Sequence, residues 1–312
     1  MIMTKFICCI GLPASGKSEQ AKKLATEYNA EIFSSDSLRG EMFGDVNHQA
    51  DNDALFKELH KRIRECLTSG KSAIMDATNI NYKKRIEFLK SLSKIPCEKI
   101  AVLMATPYEV CLERNAQRER KVPEHVIRRM YMNWNTPYWY EGWDNIQIVY
   151  SEGAKWSTHL FESIALGHSH PVFNYNQNNK HHSLSLGEHL RKAYRFIYKD
   201  IEPDCGNTTL EMATALHDMG KPFCATYYNK KGEKSDECHY YDHQNTSAYD
   251  CLFEKPLYNV DILGVSVLIM WHMRPYLAWG VSEKAKEKDK KLLGEKLFQE
   301  ICLLHEADVY SH

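Results

Sequence analysis

The feature that most constrains the fold is a glycine-rich turn near the start of the chain. The segment Gly11-Leu-Pro-Ala-Ser-Gly-Lys-Ser18 fits the pattern G-x-x-x-x-G-K-[ST], follows an apolar run at 5–10 and opens a helical pattern at 17–28. Glycines let the backbone curl so that successive N–H groups face a phosphate, at a helix N-terminus that already favours anions. The turn therefore predicts a phosphate-binding loop between a strand and a helix.

Each residue type in this turn has a role at a nucleoside triphosphate. The loop surrounds the phosphates with N–H groups, the lysine reaches the β- and γ-phosphates, and the serine hydroxyl ligates Mg²⁺. We therefore expect ATP and Mg²⁺ as cofactors. The residues expected to bind them are Gly11, Ser15, Gly16, Lys17 and Ser18.

The front half of the chain alternates strand and helix patterns. Besides the first strand, strands are predicted at 31–33, 72–75, 100–104 and 145–150, and helices near 36–43, 52–68, 82–93 and 107–118. This alternation is typical of a mostly parallel sheet covered on both faces. We predict an α/β P-loop domain over residues 1–152.

Polar side chains follow two of these strands. Asp36 and Arg39 come just after the second strand, and Asp76, Thr78 and Asn79 come at the end of the third. The carboxyl ends of parallel strands border the crevice where ligands bind. There, Asp36 could accept a proton from an attacking hydroxyl and Arg39 could hold an anionic acceptor. The alternatives are that Asp36 only caps the next helix and that the second cluster is an ordinary loop.

A basic segment follows the fourth strand and its helix. Seven basic residues, His125 included, fall within positions 114–129, although the formal net charge of the chain is −1. Such a run is usually a solvated surface. Placed after the fourth helix of a P-loop domain, it favours a lid over the triphosphate.

These motifs, in this order, resemble the 5′-hydroxyl polynucleotide kinases, above all the kinase half of phage polynucleotide kinase-phosphatases. The likeness covers residues 3–150 and rests on GLPASGKS, SSDSLR, DATN and the segment from RNAQR to VP. It implies that Asp36 is the general base for a 5′-hydroxyl group. The residues that would face the acceptor are Arg39, Asp76, Thr78 and Asn79.

The same resemblance implies that Arg118 binds ATP and stabilises the phosphoryl group during transfer. The gap from Arg118 to Val122-Pro123 is one residue shorter here than in the phage enzymes. Arg120 is therefore an alternative for this role.

The pattern changes near residue 150. Residues 153–180 are rich in Ser, Gly, Asn and His, which predicts a linker or lead-in, and residues 181–312 have helical periodicity. Helices are expected at 185–198, 243–253, 260–272 and 291–310, with a further one starting at a Thr208-x-x-Glu211 capping box. This second domain is predicted to be all-α.

An adjacent pair, His217-Asp218, ends one of these helical patterns. Burying such a pair is unfavourable unless something binds both side chains. Other metal-capable residues in the helical patterns are His189, His239, His243, His272 and Asp308. Facing helices can bring such ligands together, and a histidine–carboxylate set suits Mn²⁺, Fe²⁺, Co²⁺, Ni²⁺ or Zn²⁺.

The segments HHSLSLGEHL, ALHDMGK, YYDHQNTSA, WHMRPY and EADVYSH are similar to the HD domains attached to bacterial tRNA nucleotidyltransferases, in the HD phosphohydrolase superfamily. The likeness implies metal-dependent phosphoester hydrolysis, with Asp218 in a catalytic role. Its core metal ligands would be His189, His217, Asp218 and Asp308. His243 and His272 would complete a second metal site or contact the phosphate.

The likeness also implies that Lys221 and Arg274 contact the substrate, and it makes His181 and His182 weaker candidates. Together the two resemblances imply an end-healing enzyme for broken RNA or tRNA. It would phosphorylate 5′-hydroxyl ends and remove 2′,3′-cyclic or terminal phosphates, leaving both ends ready for a separate RNA ligase. A homo-oligomer is left open.

Two alternatives remain open at this point. One is a nucleoside or small-molecule P-loop kinase fused to an HD nucleotidase, and the other is a nucleotide-sensing regulator without turnover. No apolar run reaches the ~20 residues of a membrane span. Ten cysteines without a regular framework, and an N-terminus unlike a signal peptide, lead us to expect a cytoplasmic protein with reduced thiols.

Overall fold

Residues 3–46, 48, 51–180, 183–201 and 206–312 are described by the structure, a computed structural model. Contacts divide the chain into two units. Unit 1 contains the residues up to 127 and 137–153, and unit 2 contains 128–136 and 154–312. Unit 1 thus ends one residue beyond the predicted limit at 152, whereas no sequence pattern indicated that residues 128–136 belong to unit 2.

Unit 1 is built on a parallel five-stranded sheet, as the sequence predicted. Its strands are β1 (Thr4–Ile10), β2 (Ala30–Ser34), β3 (Ser72–Asp76), β4 (Cys97–Ala105) and β5 (Asn145–Tyr150), and their order is β2-β3-β1-β4-β5. β1 is central, and its residues from Phe6 to Ile10 are fully buried. A strand covered on both faces carries a continuous apolar run, which explains why β1 was the clearest strand in the sequence.

Helices connect these strands. They are α1 (Lys17–Tyr28), α2 (Ser35–Phe43), α3 (Asn52–Thr68), α4 (Tyr82–Ser91) and α5 (Tyr108–Ala116), and α6 (Glu124–Met132) follows. The core between α1 and the sheet contains Ile7, Leu24, Ile74 and Val102. The register pairs Asp76 of β3 with both Cys9 of β1 and Ser34 of β2, so three strand ends meet at one edge of the sheet.

Unit 2 is mainly helical, which confirms the predicted class of the second half. Its helices are α7 (Leu160–Leu166), α8 (Leu186–Arg195), α9 (Thr208–Leu216), α10 (Lys221–Cys224), α11 (His243–Asp250), α12 (Ile262–Trp271), α13 (Glu283–Leu293) and α14 (Glu295–Tyr310). Every residue of α12 is buried, so this helix is the centre of the unit. In the described part of the chain, no helix combines the length and the hydropathy needed to cross a bilayer.

Unit 2 differs from the expected all-helical pattern in one element. An antiparallel hairpin is formed by β6 (Ala225–Tyr228) and β7 (Lys234–Tyr240). Residues 154–180, expected to be a linker, belong to unit 2 and include α7, whose Leu160 and Phe161 are buried. His181 and His182 lie outside the described residues.

Helix ends in unit 2 depart from the sequence prediction in two places. The cap of α9 is Asn207, whose side chain accepts a hydrogen bond from the Leu210 N–H, and not Thr208. The last predicted helix is two helices, because Gly294, with φ of 82°, ends α13 before α14 begins. Glycine adopts this left-handed backbone without the steric cost that a side chain would add.

Residues 128–136 supply part of the core of unit 2. Trp134 is fully buried, and its ring packs edge-on against Tyr249 at 4.8 Å between centroids. Tyr131 packs against the same tyrosine and donates a hydrogen bond to Asp250. This short segment therefore packs against α11.

Candidate nucleotide site and candidate metal centre

The glycine-rich turn of unit 1 has the geometry of a phosphate-binding loop. Gly16, just before α1, has φ of 95°, and a Cβ at Gly11 would lie 2.6 Å from the Ser15 hydroxyl oxygen. The left-handed backbone at Gly16 favours glycine, and a side chain at Gly11 would displace Ser15 and crowd Met104. Lys17 is buried, and its Nζ donates to the Leu12 carbonyl at 2.6 Å, inside the curve of the loop. Burial lowers the pKa of Lys17, and the Asp76 carboxylate opposes this shift.

Asp76 lies beside the predicted magnesium ligand. Ser18 Oγ donates a hydrogen bond of 2.8 Å to Asp76 Oδ2, and Asp76 is buried. Expected from the resemblance to face the acceptor, Asp76 instead sits where P-loop enzymes place the carboxylate that holds Mg²⁺. This placement favours a magnesium role.

Thr78 and Asn79 tie the end of β3 to the phosphate-binding loop. The Gly11 N–H donates to the Thr78 carbonyl at 3.0 Å, and Asn79 Nδ2 donates to the Cys9 carbonyl at 2.8 Å. Asn79 has a left-handed backbone, with φ of 49°. In these contacts the two residues hold the loop next to β1.

A buried ion pair that the sequence analysis did not single out supports this loop. Arg85 makes two hydrogen bonds to Glu141, of 2.7 and 2.6 Å, and a third, of 2.7 Å, to the Asn79 carbonyl. Trp143 Nε1 donates to the same glutamate at 2.9 Å. A two-point arginine–carboxylate pair fixes geometry well. Its partners are 56 residues apart, so no local spacing predicts it.

The candidate base Asp36 is not a helix cap. Ser34 is the N-cap of α2, and its hydroxyl accepts from the Ser37 N–H. The exposed Asp36 carboxylate instead forms an ion pair with Arg120, of 2.7 Å between Oδ2 and Nη1. The Asp36 side chain therefore has a partner other than the backbone of α2, and the capping alternative from the sequence is wrong.

Arg39, expected to hold an anionic acceptor, is buried, and one of its terminal nitrogens is engaged by two neighbours. Its Nη1 donates to the Asn52 side chain at 2.9 Å and to the His48 carbonyl. Its Nε has no hydrogen-bond partner among the described residues. An acceptor phosphate could therefore engage only part of this guanidinium.

The two arginines proposed for the lid differ in their surroundings. Arg118 is exposed, and its charge contributes to lowering the pKa of Lys17, after the larger effect of burial. Arg120 pairs with Asp36. Of the two arginines, Arg120 therefore has the defined contact, with Asp36, whereas Arg118 adds positive charge in the surroundings of Lys17.

In unit 2, four predicted ligands converge in the interior. The nitrogen and oxygen atoms of His189, His217, Asp218 and Asp308 that could bind a metal all lie within 4.8 Å of one another, and all four residues are buried. His189 Nε2 is 3.3 Å from Asp218 Oδ2 and 3.2 Å from Asp308 Oδ1. His217 Nε2 is 3.4 Å from each of the same two oxygens.

A second group shares one of these carboxylates. Asp218 Oδ1 lies 2.9 Å from His243 Nε2 and 3.7 Å from His272 Nε2. Both histidines are buried, and together with Asp218 they form the other metal-capable group among the described residues. Asp218 thus turns Oδ2 toward one pair of histidines and Oδ1 toward the other.

The four histidines are oriented by their other ring nitrogens. Nδ1 of His217, His243 and His272 donates to the carbonyls of Thr214, Tyr240 and Ile269 at 2.8, 2.6 and 2.7 Å. His189 Nδ1 lies 2.8 Å from the Ser311 hydroxyl oxygen. Every Nε2 therefore faces the cluster. Metal-binding histidines typically have an outer partner of this kind on the second nitrogen.

The pKa shifts reflect a dense set of buried charges. Burial would raise the pKa of Asp218, but Lys221, His217 and His243 hold it well below its usual range. Burial lowers the pKa of His272 to about 3, with help from the charges of His217 and His243. Burial also disfavours charge on His217, but the neighbouring carboxylates raise its pKa to about 10.

The predicted substrate contacts of unit 2 are engaged within the protein. Lys221 Nζ lies 2.5 Å from Asp218 Oδ2 and donates to the Gln177 side chain at 2.7 Å. Arg274 forms an ion pair with Asp289 at 2.5 Å. Lys221 therefore belongs to the metal-capable cluster, whereas Arg274 is held outside it.

Two histidines in unit 2 differ from the sequence interpretation. His239 lies on strand β7, stacked on Tyr241, and not in a helix. His312 was not considered, but its Nε2 lies 3.3 Å from Asp308 Oδ1. His312 is the last residue of EADVYSH, one of the segments on which the resemblance to HD domains rests, and it lies four residues after Asp308.

Comparison with known proteins gives a family match for the part of the chain that contains the candidate nucleotide site. Residues 6–137 match the family model AAA_33, described as an AAA domain. The N-terminal half is an AAA_33 P-loop domain. All the candidate nucleotide residues lie inside the AAA_33 match, and the metal-capable cluster lies beyond its end.

One relative and two solved structures illustrate the likeness. The L-seryl-tRNA(Sec) kinase of Methanococcus maripaludis is 29% identical over 143 residues, which are 44% of this chain and 55% of that protein, so the match spans about half of the relative's length. A putative kinase from Chloroflexus aurantiacus is 19% identical over 47% of this chain and 88% of its own, with a TM-score of 0.39. A chain of the Pnkp1/Rnl/Hen1 RNA repair complex is 21% identical over 42% of this chain and 44% of its own, with a TM-score of 0.36.

Proposed function

We propose that unit 1 transfers the γ-phosphoryl group of ATP to the 5′-hydroxyl of a polynucleotide. The observation that carries this proposal is the pairing of a phosphate-binding loop with an exposed carboxylate, Asp36, beyond β2 at the same edge of the sheet. The loop accounts for ATP, and the carboxylate accounts for a hydroxyl acceptor whose proton must be removed. Phosphoryl transfer depends mainly on positioning and on stabilising charge.

The roles in this reaction follow from position. Lys17 binds the β- and γ-phosphates, while Ser18 and Asp76 hold Mg²⁺ when it arrives with ATP. Asp36 accepts the proton of the acceptor hydroxyl as its oxygen attacks the γ-phosphorus. Arg118 acts on the charge that develops on the transferred group.

For unit 2 we propose metal-dependent hydrolysis of a phosphoester. The observation that carries this proposal is that Asp218 turns one oxygen toward His189 and His217 and the other toward His243 and His272, so that ligands for divalent metal would be available on both sides of the carboxylate. The donor set of four histidines and two aspartates suits a divalent transition metal such as Mn²⁺, Fe²⁺, Co²⁺, Ni²⁺ or Zn²⁺. When bound, such ions polarise a phosphoester and lower the pKa of bound water.

The protein side chains have separate tasks in that reaction. His189, His217 and Asp308, with Asp218, would hold metal on one side of that carboxylate, and His243 and His272 would hold it on the other. Lys221, whose ammonium group contacts Asp218, would supply positive charge for a substrate phosphate bound at this centre. The proposed outcome is hydrolysis of a 2′,3′-cyclic phosphate to a terminal phosphate, followed by hydrolysis of that phosphate to inorganic phosphate, with one water consumed in each step.

Together, the two reactions heal both ends of a broken RNA strand. The products would be a 5′-phosphate and a free 3′-hydroxyl, which are the ends that an RNA ligase joins. We therefore propose cleaved RNA, including tRNA, as the substrate and a separate ligase as the next enzyme.

The test uses an RNA with a 5′-hydroxyl and a 2′,3′-cyclic phosphate, with each end followed separately. The full chain should convert both ends in the presence of ATP, Mg²⁺ and one of the transition metals. Asp36→Asn should block only the 5′ end, and Asp218→Asn only the 3′ end. A protein that changes neither end under any of these metals would overturn the proposal. ATP binding without turnover would then favour the nucleotide-sensing role.

A second candidate for unit 1 is phosphorylation of another hydroxyl acceptor. The matched relative is named as a kinase of L-seryl-tRNA(Sec), and Arg39, the expected acceptor-phosphate ligand, is engaged with Asn52 and His48. The first observation favours a hydroxyl other than the 5′ end of a polynucleotide, and the second favours an acceptor recognised without that arginine. Competition between a 5′-hydroxyl oligonucleotide and seryl-tRNA, nucleosides or sugars would distinguish the two candidates. If the preferred acceptor is a nucleoside, unit 2 becomes a nucleotidase.

A further inference from the structure

Arg120 connects the basic segment to the first turn of α2 and to the chain just beyond the end of that helix. Its Nη1 lies 2.7 Å from Asp36 Oδ2, and its Nη2 donates to the Val46 carbonyl at 2.8 Å. Two nitrogens of one planar guanidinium are thus directed at fixed partners. An arginine held at two points loses less freedom per contact than a lysine would.

The second partner is itself packed against the helix that carries Asp36. A Cβ added at Gly40 would lie 3.1 Å from Val46 Cγ1, so Val46 folds back onto α2 one turn after Asp36. Gly44, with φ of 70°, ends α2 and allows this return of the chain. The Val46 carbonyl is therefore a fixed point next to the candidate base.

We propose that Arg120 is a positioning residue for Asp36 and does not bind the phosphates of ATP. This inference rests on the proposed function, in which Asp36 is the base. The Asp36 side chain is 58% exposed, so its carboxylate needs a partner to fix its orientation. Arg120 holds Oδ2 and leaves Oδ1 to accept the proton from the acceptor hydroxyl.

The surroundings of the pair agree with this assignment. Burial lowers the pKa of Arg39, Asp36 opposes the shift, and the charge of Arg120 adds to it. The charges of Asp36 and Arg120 therefore both act on Arg39. A base oriented by a third group is the arrangement by which many enzymes keep it in reach of the reacting proton.

The decisive experiment is a double-mutant cycle on the 5′-kinase reaction of the full chain, with kcat and the KM for ATP measured for each variant. Because a misplaced reacting group costs about 10²-fold in rate, we expect Arg120→Ala to lower kcat by about 10- to 100-fold and to leave the KM for ATP unchanged. In the Asp36→Asn background the same change should cost almost nothing further. Arg120→Lys should restore part of the rate.

Lys57→Ala is the matched control, because it removes an exposed positive charge of α3 that lies outside the basic segment; it should have little effect. Equal losses from Arg120→Ala in both backgrounds, a raised KM for ATP, or full activity of Arg120→Ala would each overturn the positioning role. The same cycle tests the proposed function separately, through the effect of Asp36→Asn alone. If Asp36→Asn alone keeps near-normal activity, the base assignment fails, whatever Arg120 does.

Discussion

Ser18 Oγ donates a hydrogen bond of 2.8 Å to Asp76 Oδ2, which joins the first turn of α1 to the end of β3. A hydroxyl and a carboxylate in this relation provide two oxygen ligands for Mg²⁺. The same contact places Asp76 beside the P-loop lysine, where its negative charge opposes the lowering of the lysine pKa. The candidate nucleotide site is therefore formed both by the glycine-rich turn after β1 and by the end of β3.

We predict that Asp76→Asn raises the Mg²⁺ concentration needed for half-maximal kinase rate, by about tenfold or more, because removing a charged ligand weakens a hard cation site. The measurement is the kinase rate against Mg²⁺ at saturating ATP. Asp53→Asn, at an exposed carboxylate of α3, is the control. An unchanged Mg²⁺ dependence with a raised KM for the acceptor would return Asp76 to the acceptor side.

Arg118→Ala should lower kcat more than it weakens ATP binding. The exposed guanidinium is near enough to influence Lys17, and its main effect is expected on charge that develops during transfer. A loss of about 10²-fold in kcat with a KM for ATP within a few-fold of the original is the expected result. If KM rises and kcat does not change, Arg118 binds the ground state only.

The shared carboxylate predicts a pattern in metal content. Asp218→Ala should remove both ions, whereas Asp308→Ala and His272→Ala should each remove about one, because each belongs to only one group. Elemental analysis of the purified full chain after metal loading measures this directly. The kinase rate is the internal control, since it should survive all three changes. One ion per chain in the unaltered protein, still bound after Asp218→Ala, would contradict the bridging arrangement.

His60 predicts a dependence of stability on pH. Its ring stacks on Phe88 at 4.0 Å, and burial, followed by the charges of Arg64 and Lys84, lowers its pKa to about 4. Between pH 6.5 and 4 the unfolded chain binds a proton at this site that the folded chain does not. The free energy of unfolding therefore falls as the pH falls through this window, by at most about 1.4 kcal/mol per pH unit.

His60→Phe keeps an aromatic ring against Phe88 and removes the titration. The difference in unfolding free energy between the variant and the original protein should change across pH 6.5 to 4 and be constant above pH 7. Urea unfolding at several pH values gives this difference. Parallel curves over the whole range would mean that His60 does not titrate differently on folding.

Much of the fold could be predicted because its signals are local. The buried strands β1 and β4 are continuous apolar runs, the turn at Gly11 has a fixed spacing, and His217-Asp218 is an adjacent pair. The class of each half followed from such patterns. Most of the side chains that cluster in unit 2 were named from the sequence, because each histidine or aspartate lies within or at the end of a helical pattern.

The rest depends on contacts between residues far apart in sequence. Arg85 and Glu141 are separated by 56 residues, and the Asp36–Arg120 pair by 84, so neither appears in a local pattern. The hairpin was missed because the sequence of β7, KSDECHY, lacks regular apolar alternation. Asn207 was missed as a cap because Thr208-x-x-Glu211 offered a complete alternative one residue later.

The inclusion of residues 128–136 in unit 2 limits how the two halves can be recombined. A gene fragment that starts at residue 154 would encode a helical half without Trp134 and Tyr131, leaving the ring of Tyr249 without two of its aromatic neighbours. Thr136, whose hydroxyl is hydrogen-bonded to the buried Ser266 of α12, would be lost as well. A single crossover between genes would therefore separate residues that pack together in unit 2. We expect the two units to be inherited together.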